Sequence, residues 1–404
     1  MISLPELFPS VRDEVEASRP DLIEYCRRLV AAPSVNPPGD TRAVSAVVRR
    51  YLADWGLDSR EEALNPTMPS VISHIDSGRP GPHLVLNVHL DTMPPGEESL
   101  WTVPVFDLTS RDGRLYGLGM GNMKGAVAAM SLTAGLLAQH VNHWRGKVTF
   151  SAVADEVVFG DNGAAWLLRQ HSKLAGDALL CGEGPGMQRL AVAEKGVLWI
   201  TLEAAAAGAH SSAALPGGTA TTRLARAILD IDALAGRHTT LPPELSMLHV
   251  KPGDPSMLLT ANIGTIQGGT SIGQVATSAA AEIDFRLPPG ISIQAVEDAV
   301  DERISRIPRT SWRRVKGWEA NWTSPDSVLA QCFIEATQLL RGAPAPLTTR
   351  LPASDASRWR RLGVPAVCYG PQPGLSAGLD DYAEEQEVID CAVLYTLTAL
   401  GVLT

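Results

Sequence analysis

The chain has 404 residues, 45% of them hydrophobic, which is enough for a packed core and for two domains rather than one. A net charge of −10 without any basic cluster argues against nucleic acid as a partner, and no long uncharged apolar stretch suits a membrane span. The N-terminus lacks the basic-then-apolar order of a signal peptide, and the scattered cysteines Cys26, Cys181, Cys332, Cys368 and Cys391 have no paired spacing, so the reading is a reducing, cytoplasmic setting.

In chain order, hydrophobic periodicity predicts amphipathic helices over 21–31 and 44–55 and short apolar strands over 84–88, 147–152 and 178–181. Helices over 125–137 and 162–170 lie between those strands. The alternation predicts an α/β fold, a mostly parallel sheet flanked by helices. The texture then changes: strand 197–205, helix 221–235, strand 280–285 and helix 293–304 read as an inserted α+β unit. Helix-and-strand texture resumes after Pro325, with a buried strand over 364–369. The expected division is 1–195 with 323–404 as a discontinuous catalytic domain and 196–322 as the insert. Ligands in such sheets sit at the carboxyl ends of strands, where His89, Glu156 and Glu183 all fall.

The run 84–91 closes with His89-Leu90-Asp91. Strand side chains alternate, so the imidazole and the carboxylate share a face, and the carboxylate can hold the ring in the tautomer that a metal needs. A hydrogen-bonded histidine at a strand end is the plainer alternative. Three further segments are Gly113-Arg114-Leu115-Tyr116-Gly117-Leu118-Gly119-Met120-Gly121-Asn122-Met123-Lys124-Gly125, Ala154-Asp155-Glu156-Val157 and Cys181-Gly182-Glu183-Gly184-Pro185. Together the four resemble the M20 family of metallopeptidases and amidohydrolases, which includes acetylornithine deacetylase, succinyl-diaminopimelate desuccinylase and carboxypeptidase G2. The resemblance runs from about residue 21 to the C-terminus and implies that the insert is a lid and a dimerisation surface.

The resemblance implies a role for each matching residue. His89 and Glu183 match terminal ligands of a first metal, Asp91 the clamp on the histidine, and Glu156 the general base that activates water. The bridging aspartate of the family falls on Asn122, the second metal's glutamate on Val157 and its histidine on Ala377, and no histidine follows His249. Two divalent cations with so few anionic ligands would repel strongly, so a degraded two-zinc site and no required cofactor are expected. One zinc on His89, Glu183 and the Asn122 carbonyl is the alternative, with an amide oxygen a poor third ligand. Asp161 and Asp380 lie near the lost ligands in sequence. His210, in Gly208-Ala209-His210-Ser211-Ser212, matches a lid histidine that reaches across a homodimer to the scissile carbonyl. Arg286 falls on a lid arginine that binds substrate carboxylate, or else forms a structural ion pair, while a nearby family asparagine falls on Gly273. Lys124 is expected to pack or pair near the helix start, Cys181 to be core, and Asp355 to be structural.

Three functions stay open on this reading. The first is an enzyme acting on a small amide- or peptide-like, carboxylate-bearing amino acid derivative, with Glu156, Asp91 and His210 catalytic and Arg286, Asn122, His89 and Glu183 binding substrate, by acid/base chemistry without two zincs. The second is a single-zinc amidase or deacylase, and the third a silent paralogue that binds a ligand or partner subunit. The retained Glu156, Asp91 and His210 count against the third.

Overall fold

The computed structural model describes residues 3–184, 189–248, 250–251, 253–373 and 378–404. Two compact units divide it: Met1–Val192, Trp322–Thr348 and Ser354–Thr404 form the first, and Ala193–Asn321 with Thr349–Ala353 the second. The chain opens with α1 (Leu4–Ala17), α2 (Arg19–Val30), α3 (Arg42–Asp54), β1 (Ser59–Glu62), β2 (Ser70–Asp76), β3 (His83–His89), β4 (Thr109–Arg111) and β5 (Arg114–Tyr116). Then come α4 (Gly125–Gln139), β6 (Lys147–Val153), α5 (Ala164–Gln170), β7 (Ala178–Cys181) and β8 (Leu190–Glu194). The second unit supplies β9 (Gly196–Ala205), α6 (Ala220–Asp232), β10 (Thr260–Gly268), β11 (Ser278–Leu287), α7 (Ile293–Ile304) and β12 (Thr310–Trp318). The chain returns through β13 (Asn321–Trp322), α8 (Val328–Arg341), β14 (Leu347–Arg350), α9 (Ala356–Arg360), β15 (Ala366–Cys368), β16 (Tyr382–Glu384) and α10 (Glu385–Leu403).

The large sheet of the first unit runs β1-β2-β6-β3-β7-β15-β8-β13, with β14 beside β8. Its centre is parallel: β3 pairs with β6 and β7, and β7 with β15, in parallel registers. Strands β1 and β2 add antiparallel pairs at one side. The sequence dictates this centre. Six of the seven residues of β3 are buried, as expected of a strand covered on both faces. Helix α4 is buried without a break from Gly125 to Leu137, because its glycines and alanines let it lie close to its neighbours. Parallel registers bring the carboxyl ends of β3, β6, β7 and β15 to one edge, where His89 pairs with Val153 and Cys181 with Cys368.

One expectation is corrected here. By length and mean hydropathy (1.4), α10 is apolar enough to cross a membrane, although no stretch stood out in the sequence, where threonines, a glycine and an acidic first turn interrupt it. Its apolar window is 78% buried inside the protein, so that hydropathy is used by a core helix. Helix α5 starts at Ala164 rather than 162, because Asn162 donates its backbone N–H and its amide to Asp155 instead.

The second unit is a four-stranded antiparallel sheet, β10-β11-β9-β12. Alternating residues Leu198, Ile200 and Leu202 of β9 and Ile283 and Phe285 of β11 pack on Leu224 and Ile231 of α6 and Val296 and Val300 of α7. The opposite faces of these strands carry Trp199, Asp284 and Arg286, with Trp199 opposite Asp284.

The strand ends of the first unit are closely fitted. A Cβ on Gly370 would lie 2.0 Å from the Gly182 carbonyl oxygen, while Tyr369 donates its N–H to Cys181. Gly370→Ala is therefore expected to lower stability by about 1–3 kcal/mol, read from urea unfolding. An unchanged midpoint would contradict this close approach.

Candidate active site

His89 is the last residue of β3. Glu156 follows the end of β6 by three residues and Glu183 the end of β7 by two. One atom each of His89, Glu156 and Glu183 lie mutually within 4.8 Å, and all three residues are buried. His89 Nε2 is 3.3 Å from Glu183 Oε1, 3.7 Å from Glu156 Oε2 and 2.9 Å from Asn122 Oδ1. On its other side, Nδ1 is 2.8 Å from the Asp91 carbonyl oxygen. Both ring nitrogens thus face oxygen acceptors, an arrangement that favours imidazolium. Burial works against charge on the ring, but Glu156, Glu183 and Asp91 overrule it, and its pKa is raised well above the ordinary value.

The Asp91 carboxylate serves differently from the expected clamp on the ring. Its Oδ1 is 3.6 Å from Nδ1, too far for a hydrogen bond. The two oxygens instead accept the backbone N–H groups of Glu156 and Val157, each at 3.1 Å, and the Asn36 amide at 2.9 Å. The histidine is held by the main chain of Asp91, and the carboxylate holds the loop that carries Glu156. Asn36 also reaches Asp155 at 3.1 Å. Asp155 has φ of +61°, a left-handed conformation that aspartate tolerates better than most residues, and its carboxylate is satisfied by Asn162.

Glu156 is 5% exposed, and its Oε1 has no partner among the described residues. Burial first, then the repulsion of Glu183, Asp355 and Asp91, raises its pKa well above the carboxylate range against the pull of His89. Glu183 is held by Gln372, whose amide donates to Oε2 at 3.1 Å. Asp355 is buried, paired with Arg358 at 3.0 Å and close enough to Glu156 for their charges to repel. Lys124 donates to the Ala32 carbonyl at 3.2 Å, so it packs at the helix start. Burial pulls its amine down to about 7 and pushes the neighbouring Asp381 carboxyl up to about 7.

Neither nearby aspartate fills in for a missing ligand. Asp161 is exposed beside Arg169, and Asp380 accepts from the Thr102 N–H and hydroxyl. Val157 contributes a backbone N–H only, and Ala377 lies outside the described residues. Cys181 is core, its thiol pushed up by burial. No local pattern in the sequence marks Asn36 or Gln372, whose partners are over 50 positions away.

The second unit holds the other two expected residues. His210 is exposed, and its Nδ1 accepts from the Ser212 N–H at 3.2 Å. In the neutral ring that puts the proton on Nε2, leaving an outward donor. Arg286 pairs with Asp284 through Nε at 3.0 Å and Nη2 at 2.8 Å, while its buried Nη1 has no partner among the described residues.

A family model, Peptidase family M20/M25/M40, matches residues 85–400. A succinyl-diaminopimelate desuccinylase of Bradyrhizobium sp. (strain BTAi1) is 32% identical over 153 residues, which cover 37% of this chain and 39% of that enzyme. An acetylornithine deacetylase of Proteus mirabilis is 25% identical over 299 residues, 71% of this chain and 72% of that one. Among solved structures, the M20 family metallo-carboxypeptidase Sso-CP2 of Sulfolobus solfataricus shares the fold at a TM-score of 0.74 and 17% identity, covering 95% of this chain and 98% of its own.

Removing the Asp91 carboxylate orphans the Glu156 and Val157 N–H groups and leaves the Asn36 amide with Asp155 alone. At ~1–3 kcal/mol for an orphaned buried donor, Asp91→Ala is expected to lose about 2–5 kcal/mol in denaturant unfolding. A loss below about 1 kcal/mol would mean that the carboxylate does not hold the Glu156 loop.

Proposed function

The chain belongs to peptidase family M20/M25/M40, and from that premise we propose an enzyme acting on a small amide- or peptide-like, carboxylate-bearing amino acid derivative, with Glu156 moving the proton and without a two-zinc centre. The observation that carries this reading is the buried Glu156 carboxylate, with one oxygen unpartnered beside a charged His89. A carboxylate whose pKa is raised well above its usual range is a stronger base than an exposed one and can still return the proton it takes.

The donor set argues against two metals. Asn122 is neutral and Val157 has no side-chain donor. A single ion fits better, because His89, Glu156 and Glu183 converge. That convergence favours a second reading, a single-zinc amidase, in which His89 and Glu183 would hold an ion that polarises the amide carbonyl.

The remaining parts fit an amide substrate. The free donor of His210 suits an oxyanion, and the spare Arg286 Nη1 suits a substrate carboxylate. In this reading the second unit is the lid and the dimer surface, with His210 completing the partner's site. A cytoplasmic location fits the five free thiols.

Assayed on a panel of N-acyl amino acids, Glu156→Gln should abolish turnover while the fold stays intact. Wild-type activity should fall as pH drops through the raised Glu156 pKa, above the usual carboxylate range. Near-normal turnover by the variant would remove Glu156 from its role.

His210→Ala should lose on the order of 10²–10³ in rate. Mixing it with Glu156→Gln should restore part of the activity, since a mixed dimer has one site with both groups. A strict monomer, or no rescue despite subunit exchange, would contradict the shared site.

A further inference from the structure

Glu156 lies in a turn that follows β6 and is closed by its own main chain. The Phe159 N–H donates to the Glu156 carbonyl at 2.7 Å, and the Gly160 N–H to the Asp155 carbonyl at 2.9 Å. Two non-glycine residues of this turn, Asp155 at φ +61° and Phe159 at φ +50°, occupy the left-handed region. Such a backbone keeps its shape only where its surroundings hold it. Asp91 holds the near end, through the N–H groups of Glu156 and Val157. Those contacts alone would leave the far end, at Gly160, free to swing.

The far end is tied by α9, 198 positions along the chain. Arg358 Nη2 donates to the Gly160 carbonyl at 2.9 Å, and Arg358 Nε donates to Asp355 Oδ1 at 3.0 Å. The guanidinium plane is rigid, so one side chain fixes both acceptors relative to each other. The Arg358 side chain is 15% exposed and that of Asp355 4%, so these charge-assisted bonds are largely shielded from water. Asp355 repels Glu156, and the charge of Arg358 offsets it. A lysine would bring the charge without the two-armed bridge.

We propose that Arg358 is a positioning residue for the proton-transfer step: its guanidinium bridges Asp355 and the Gly160 carbonyl and so fixes the far end of the turn that aims Glu156. The inference rests on the role proposed for Glu156. Arg358 acts through the backbone of that turn, so its loss misaims the base and leaves its chemistry in place.

Amide hydrogen exchange on the full-length protein tests the clamp without a substrate. In Arg358→Ala the Glu156, Val157, Phe159 and Gly160 amides are expected to exchange about tenfold faster or more, as the turn opens locally. Amides in the middle of α10 should keep their wild-type rates. Arg358→Lys, which keeps the charge and loses the bridge, should raise exchange at the same amides and serves if the alanine variant does not fold. Ethylguanidinium added to Arg358→Ala should slow the turn again. On an N-acyl amino acid that the wild type turns over, kcat should fall roughly 10- to 100-fold with KM within about twofold, and ethylguanidinium should restore part of it. Wild-type exchange at the turn in Arg358→Ala, a uniform rise that includes α10, or a loss confined to KM would overturn the assignment. Should the wild type turn over nothing in the panel, the reaction proposed for Glu156 is at fault, and the exchange rates still decide the clamp.

Discussion

His89 is buried, with the carboxylates of Glu156 and Glu183 at 3.3–3.7 Å from one ring nitrogen. Unit charges about 4 Å apart interact by roughly 4 kcal/mol at an effective dielectric near 20. Such charges cannot be buried without partners. Among the described protein groups the imidazole is the nearest to both carboxylates, and each of them raises its pKa. The raised pKa of His89 and the raised pKa of Glu156 are two aspects of one balance.

The fold serves this balance by making the strand ends stiff. Parallel β3, β6 and β7 bring their carboxyl ends together, but the side chains are aimed by the loops. Asp91 uses both carboxylate oxygens to pin the backbone of Glu156 and Val157, and Asn36 ties that carboxylate to Asp155. Glu156 is thereby held by its main chain while its own Oε1 stays unengaged. A proton-transfer group needs this combination of fixed position and spare valence.

Much of this was legible in the sequence. The apolar runs placed β3, β6 and β7 within a residue or two, and 293–304 matches α7. The histidine and both glutamates were visible from their place after those runs. What the sequence hid depended on long-range contacts. Strands β10 and β12 escaped notice because β10 is largely solvent-facing, so period-two alternation of hydrophobicity is weak there. The Asp91 carboxylate lies 3.6 Å from the His89 ring and also holds the Glu156 loop, a second service that spacing does not report, since it tells which face a side chain takes and not which donors reach it. Asn36 and Gln372 had no local signature at all.

The proposed chemistry needs fewer than two metal ions at this site. Elemental analysis of the protein, purified without chelator and dialysed against buffered zinc, tests it most directly. At most one ion per chain is expected. Two tightly held zinc ions per chain, retained through dialysis into metal-free buffer, would contradict it.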